Sequence, residues 1–309
     1  MISIHPSLMY VVTGGSGFIG KVLVQKLLDR GEKVHVVDLS PPPIFHKNLT
    51  FSRKSILDDL SEELNGCKVL FHFAALLGVE NSDNHPLQTL EINLIGSRNV
   101  FRTAVECGVR KIIYSSSSEV YGEPRELPIK ETTIKGPVST YGVSKLAAEM
   151  YALAYFKEHN TDFRIVRFFN VYGPGQLPQW VIPIFIKSVL FGKRPKVYGG
   201  GHQTRCFTYV DDAVDGVLTV MERGKPGEAY NIGNDKPTTI LALSEIAIQV
   251  AGSSIRPEIV SFGKNTRQEE REINYRQPDI SKIKSLGWSP KILVEQGIKE
   301  TYRWMSKNQ

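Results

Sequence analysis

TGGSGFIG, residues 13–20, comes directly after the apolar run Leu8 to Thr13. It opens a segment, Val22 to Arg30, whose apolar residues recur at helical spacing. Gly14, Gly17 and Gly20 stand three apart. Between a strand and a helix each glycine has a task. The first allows a tight turn, the second lets the backbone approach a pyrophosphate, and the third lets helix and strand pack closely. The phosphates then meet a helix N-terminus, where N–H groups point outward. A glycine triplet alone is weak; the flanking strand and helix make it a dinucleotide-binding turn.

Asp38 ends the next strand-like run, Lys33 to Leu39, about 20 residues after the glycines. A carboxylate there accepts from both ribose hydroxyls and repels a 2′-phosphate, which favours NAD over NADP. Capping the following loop, stiffened by Pro41-Pro42-Pro43, is the plainer role for the same residue. Further strand-like runs are Lys68 to Ala75, Lys111 to Ser115 and Phe163 to Phe169, with a long helical stretch from Pro86 to Cys107. This alternation predicts an α/β fold: a Rossmann-type doubly wound parallel sheet, covered on both faces, over residues 1–169. From about Asn170 the chain turns to Pro- and Gly-rich loops, with short helical stretches at Asp211 to Glu222 and Leu241 to Ala251. A smaller mixed α/β lobe is expected over 170–309, with some segments returning to the first domain.

The 309 residues carry a formal net charge of +6, spread along the chain rather than clustered, and no run resembles a nucleic-acid module. The absence of long apolar runs argues against a membrane span, and residues 1–10 do not read as a secretory signal. Cys67, Cys107 and Cys206 have neither metal-ligand spacing nor the number for a disulfide framework. No metal is expected, and the cytoplasm is the expected compartment.

Tyr141 and Lys145, in STYGVSK, are four apart at the start of a helix reaching about His159, so they share one helical face. A tyrosine titrates near 10; to act as a base near pH 7 it needs a shift of roughly three units, about 4 kcal/mol. An adjacent ammonium and a positive nicotinamide ring are expected to lower it. Lys145 is also expected to hold the nicotinamide ribose. Ahead of them Lys111 to Ser115 runs into Ser116, Ser117, Ser118 and Glu119, where a hydroxyl at the sheet edge can bond a reacting alcohol.

At this point the chain resembles the extended short-chain dehydrogenases/reductases that modify nucleotide sugars, the NAD-dependent epimerase/dehydratase family. The resemblance runs nearly end to end through TGGSGFIG, FHFAA, EINLIGS, SSSSEVYGE, YGVSK, RFFNVYGPG, GGGHQTRCFTYVDD, YNIG and LGWSP, in that order. It implies tightly held NAD, recycled within each turnover, that takes a hydride from C4 of a nucleotide-linked hexose. It implies that Tyr141 removes the C4 hydroxyl proton, Lys145 lowers the tyrosine pKa and Ser117 orients the hydroxyl. Cofactor contacts are implied at Phe18, Ile19, Leu39, Ser55, Ile56 and Ser115, at Phe73, Ala74 and Ala75, and at Phe168 and Val171. Ser55 stands where the family often has an Asp for the adenine amine, and Asp58 then reads as a helix cap. Substrate contacts are implied at Ser118 and Val181, at Asn170 and Arg205 for the diphosphate, and at Val197 and Tyr198 for the base. A second diphosphate arginine is expected among Arg267, Arg271 and Arg276, with Arg271 favoured. The helices Pro86–Cys107 and Tyr141–His159 are those that pair in the family's homodimers.

Glu119 departs from simple 4-epimerases, which tend to have a small neutral residue there. A 4-ketone acidifies the C5 proton, and a carboxylate beside C5 can remove it. The expectation is 4,6- or 5,6-dehydration of an NDP-hexose, with UDP the favoured nucleotide. A 4-epimerase comes second, and a UDP-glucuronate decarboxylase, which also has Ser-Glu here, comes third. A non-catalytic NAD-binding regulator and a reductase with diffusible cofactor remain open; the first usually loses Tyr141 or Lys145, and the second would purify without nucleotide.

Overall fold

The first apolar run forms strand β1, Met9–Thr13, with Val11 and Val12 fully buried. The computed structural model describes residues 9–261 and 275–308. Strands β2 (Val34–Asp38), β3 (Leu49–Arg53), β4 (Cys67–His72), β5 (Lys111–Ser117), β6 (Asp162–Phe168) and β7 (Ala229–Ile232) complete a seven-stranded sheet. Its order is β7-β6-β5-β4-β1-β2-β3, and each pairing from β6 across to β3 is parallel. The chain starts in mid-sheet, moves outward to β3, then crosses to β4 on the other side of β1. Open α/β sheets bind ligands where the order reverses, at the carboxyl ends of the strands. Here that point lies between Thr13 and His72.

Helix α1, Phe18–Asp29, follows β1 and buries Leu23, Val24, Leu27 and Leu28. The stretch expected as one long helix is helical throughout: an α-turn Pro86–Leu90 passes through a π-turn, Glu91–Gly96, into helix α2, Ser97–Glu106, with the junction residues in the right-handed helical region. Helix α3, Thr140–His159, starts where the Ser139 hydroxyl accepts from the Gly142 N–H at 3.0 Å, and ends at Asn160 in the left-handed region. β4 stops at His72, so Phe73, Ala74 and Ala75 belong to the loop beyond it rather than to the strand. β3 alternates apolar and polar residues from Leu49 to Ser52 and, at the sheet edge, buries none of them fully.

The chain divides into two compact units. The first holds the residues up to Glu123, Ile134–Phe168 and Val217–Tyr230; the second holds Pro124–Thr133, Phe169–Gly216 and the residues from Asn231 on. The first has a core of sheet and helix residues that includes Val11, Leu70, Phe101, Ile112, Ala148 and Phe163. The second has its own core of Tyr172, Ile182, Phe185, Ile186, Phe207, Leu243 and Ile298. Within it, Asp212 is an anchor: its carboxylate accepts from the Lys291 and Ile292 N–H groups, and its carbonyl accepts from the Trp288 indole. Among the described residues no helix is long and apolar enough to cross a membrane.

Candidate active site

The ends of β1 and β4 are tied by a polar chain buried in the sheet. The Ala74 N–H donates to the Thr13 hydroxyl at 3.4 Å, and Thr13 Oγ1 lies 2.7 Å from His72 Nδ1. His72 Nε2 lies 2.9 Å from Ser97 Oγ, which spends its own proton on the Asn93 carbonyl at 2.6 Å. Ser97 must therefore accept, which fixes the His72 proton on Nε2 and makes Nδ1 the acceptor for Thr13. Burial pushes the imidazole down to about 3, so it is neutral at pH 7. From the π-turn, Asn93 exchanges two hydrogen bonds with the Leu76 backbone and fixes the loop that carries Phe73 to Ala75.

The glycine turn packs against that loop. Gly14 has φ of +74°, and a Cβ there would lie 2.5 Å from the Ala74 nitrogen. A Cβ on Gly20 would strike the Gly14 carbonyl. Ser16 N–H donates to Asp38 Oδ2 at 3.1 Å and Ser40 N–H to Oδ1 at 3.2 Å. The Asp38 carboxylate thus ends β2 facing the glycine turn and also closes its own loop, the plainer of its two expected roles.

At the far end of β5, three consecutive residues each engage one turn of α3. The Ser117 hydroxyl lies near enough to the Tyr141 phenol to favour its charged form and accepts from the Glu119 N–H at 3.2 Å. The Ser115 carbonyl accepts from Lys145 Nζ at 2.8 Å. The Ser116 hydroxyl donates to Glu149 Oε1. Gly142 is what lets the helix start so close: a Cβ there would lie 2.7 Å from the Glu119 carbonyl. Lys145 Nζ stands 5.1 Å from the Tyr114 ring centre and 5.9 Å from that of Tyr141.

Lys145 is 2% exposed. Burial pushes its ammonium down to about 7, and the Glu149 carboxylate works against that fall. Among the protein's own groups the balance at the Tyr141 phenol runs upward. Burial raises it above its ordinary value, the Glu119 charge adds to the rise, and only the Ser117 hydroxyl opposes it. The protein's own groups therefore do not make this tyrosine a ready base.

Residues 10–233 match the NAD dependent epimerase/dehydratase family. The chain belongs to that family. Over 95% of its length it is 36% identical to the UDP-N-acetyl-alpha-D-glucosaminuronate decarboxylase of Bacillus cytotoxicus, 96% of which is covered. The UDP-N-acetylglucosamine 4-epimerase of Methanobrevibacter ruminantium superposes with a TM-score of 0.91 at 32% identity, over 98% of this chain and 99% of that one. The dTDP-glucose 4,6-dehydratase DesIV of Streptomyces venezuelae, solved with NAD bound, superposes with a TM-score of 0.89 at 30% identity, over 97% and 98%. Similar chains thus carry three different reactions.

The cofactor of this epimerase/dehydratase family is NAD, and the residues present fit it. The turn at residues 14–20 has no room for side chains at Gly14 and Gly20, and it leaves backbone N–H groups at the head of α1. Leu39 is exposed, whereas Phe168 is buried edge-on against Phe73. The Ile56 side chain is core, packed at the hydrogen atoms of Gly96. The Ser55 hydroxyl accepts from the Leu57 N–H. Asp58 is not a helix cap: its carboxylate accepts from the Ser55 N–H at 2.7 Å, and Asp59 takes the N–H of Ser61, the first residue of the next helix.

In the second unit Asn170 takes a positive φ of 38°, uncommon outside glycine, and its amide donates to the Cys206 carbonyl at 3.4 Å. Arg205 is half-buried on the short strand Thr204–Arg205. Its register partner on the parallel strand Tyr275–Arg276 is Arg276. Of the three C-terminal candidates, Arg276 therefore stands beside Arg205, while Arg267 and Arg271 lie outside the described residues. Val181 and Tyr198 are half-buried. Val197 is corrected: its side chain is fully buried in the second core and has no surface to offer a base.

Sequence reasoning missed the group behind Lys145. Glu149 is fully buried and receives Arg167 Nε at 2.9 Å and Nη2 at 2.6 Å, while Arg167 Nη1 donates to the Tyr121 hydroxyl at 2.8 Å. One signal was present: Arg167 is a charge inside the apolar run Ile165 to Phe169.

Proposed function

We propose that this enzyme oxidises a nucleotide-linked hexose at C4, eliminates water across C5 and C6 with Glu119 as the base at C5, and gives the hydride back to the sugar, at C6 in a 4,6-dehydration or at C4 in a 5,6-dehydration. The observation that carries the reading is the meeting of Ser117, Glu119, Tyr141 and Lys145 at the carboxyl end of β5. NAD, when bound, supplies the hydride acceptor and a positive charge at its nicotinamide ring. Tyr141 takes the proton of the C4 hydroxyl, Ser117 orients that hydroxyl, and Lys145 holds the charge that stabilises the phenolate. Glu119 removes the C5 proton and returns a proton to the departing C6 oxygen, because Ser118 is buried and not an acid. The first unit is assigned the cofactor, and the second the nucleotide through Asn170, Arg205 and Tyr198.

A second reading, decarboxylation of a hexuronate, is favoured by the 36% identical relative that is named for that reaction. The test is incubation with UDP- and dTDP-linked hexoses and with UDP-hexuronates in heavy water, followed by mass spectrometry and NMR. Loss of water with deuterium at C5 or C6 is expected, and Glu119→Gln should abolish exchange at C5 while sparing oxidation at C4. Inversion at C4 without solvent deuterium would make the enzyme a 4-epimerase. Release of carbon dioxide would establish the second reading.

We also propose that a second copy of the chain packs on α3 and on the helical stretch before it. Ile95, Val143 and Met150 there are each 39% or more exposed and would be covered by such a contact. Sedimentation at micromolar concentration should show a dimer; a monomer alone rejects the assignment.

A further inference from the structure

Tyr141, Lys145 and Glu149 are spaced at i, i+4 and i+8 on α3, so three successive turns present them on nearly one face. The tip of β5 meets all three. Ser117 meets Tyr141, the Ser115 carbonyl meets Lys145, and Ser116 meets Glu149. Arg167 is the register partner of Ser116 on the neighbouring strand β6. Both therefore close on the same carboxylate, Ser116 through one oxygen and Arg167 through both. Glu149 is 0% exposed and Arg167 4%.

A buried ion pair of this kind is a poor source of net stability, since removing two charges from water offsets most of the attraction. Its position suggests another use. We propose that Glu149, clamped by Arg167 and Ser116, is a positioning residue that sets the charge of Lys145 and, through Lys145, the reactivity of Tyr141. This rests on the reading of Tyr141 and Lys145 as the proton-handling pair.

The surroundings of Lys145 single out Glu149. From α3 it faces Tyr141 and Glu149; from β5, the Tyr114 ring and the Ser115 carbonyl. From β4 it faces His72, which is neutral, and from β6 the already paired Arg167. The turn Ser118–Tyr121 brings Glu119, which acts on Tyr141, and Tyr121, which bonds Arg167. On the helices packed against α3, the charged groups Asp83, Glu91, Arg98, Arg102 and Glu106 are exposed. The opposing charge that favours the ammonium is Glu149. Arg167 limits how strongly it does so.

The test reads Lys145 directly in the full-length protein. The 13Cε resonance of Lys145, assigned by its loss in Lys145→Met, is titrated by NMR. In Glu149→Gln, which keeps shape and loses charge, the midpoint should fall by about one to three pH units. Glu149→Asp, which keeps charge and loses shape, should stay nearer the wild-type midpoint. A packing role predicts the reverse order, and an unmoved midpoint in a folded Glu149→Gln overturns the proposal. Should Glu149→Gln not fold, the double variant Glu149→Gln/Arg167→Met buries neither charge. Its midpoint should still fall, though by less, because Glu149 is nearer to Lys145 in the helix; no fall there also overturns it. In turnover, Glu149→Gln should move the acid limb of kcat to lower pH and reduce its plateau. If no nucleotide sugar is turned over, the proposed function fails while the NMR titration still decides the role of Glu149.

Discussion

Tyr141→Phe is expected to lower kcat by about 10²- to 10⁴-fold, the usual contribution of a positioned general base, with the amount of NAD co-purifying unchanged. The phenol is the group placed to take the alcohol proton. It is 9% exposed, beside Ser117 and one helical turn from Lys145. The glycine turn and Asp38, which hold the dinucleotide in the proposed reading, are untouched by the change. The pH dependence follows from how the pair titrates. With both groups protonated, Tyr141 is no base. Lys145 sits at about 7 and Tyr141 above its ordinary value, so the pair loses its first proton near neutrality. The active arrangement, ammonium beside phenolate, has the same proton count as neutral lysine beside phenol, and so forms with that first loss. Turnover should rise with pH through about 7 and then level off. Steady-state kinetics on the substrate identified by the heavy-water assay measures both. A Tyr141→Phe variant within a few-fold of wild type, or a rate that falls as pH rises through neutrality, removes Tyr141 from the proposed role.

The parts of this site that could be read from the sequence are those set by local chemistry. Gly14 and Gly20 are legible because only glycine fits where a Cβ would meet the Ala74 backbone or the Gly14 carbonyl. Tyr141 and Lys145 are legible because helical spacing alone puts them on one face. The rest depends on distant partners. Asp58 and Asp59 are adjacent carboxylates, and nothing local says that the first closes a turn on Ser55 while the second takes the N–H of Ser61. Val197 next to Tyr198 suggested a surface for a base, but the packing of the second unit covers the valine completely. For Tyr141 a sequence shows the ammonium four residues away and conceals the burial that raises the phenol among the protein's own groups. Glu149 looks like one more charge on a long helix until β5 and β6 close over it.

That closure sets up the other large effect. Arg167→Met should destabilise the first unit by about 3–5 kcal/mol, the cost of leaving a buried charge without its partner. The variant keeps most of the volume but strips Glu149 of both guanidinium hydrogen bonds, and only the Ser116 hydroxyl remains to it. It also takes the donor from the Tyr121 hydroxyl. The same argument predicts that Glu149→Gln/Arg167→Met is more stable than Arg167→Met, since no orphaned carboxylate is left. The exposed pair Arg303–Glu300 is the contrast: its side chains are 56% and 43% exposed, and breaking it should cost about 1 kcal/mol or less. Two compact units make a single melting midpoint ambiguous, so the readout is hydrogen exchange of the β5 and β6 amides, which reports the opening of the first unit itself. Arg167→Met should accelerate exchange there by about two to four powers of ten if those amides exchange by opening of the whole unit, and the double variant should recover much of the loss. Equal protection in wild type and Arg167→Met would mean that water already reaches Glu149, and a carboxylate that water can reach would be screened from the lysine one turn before it.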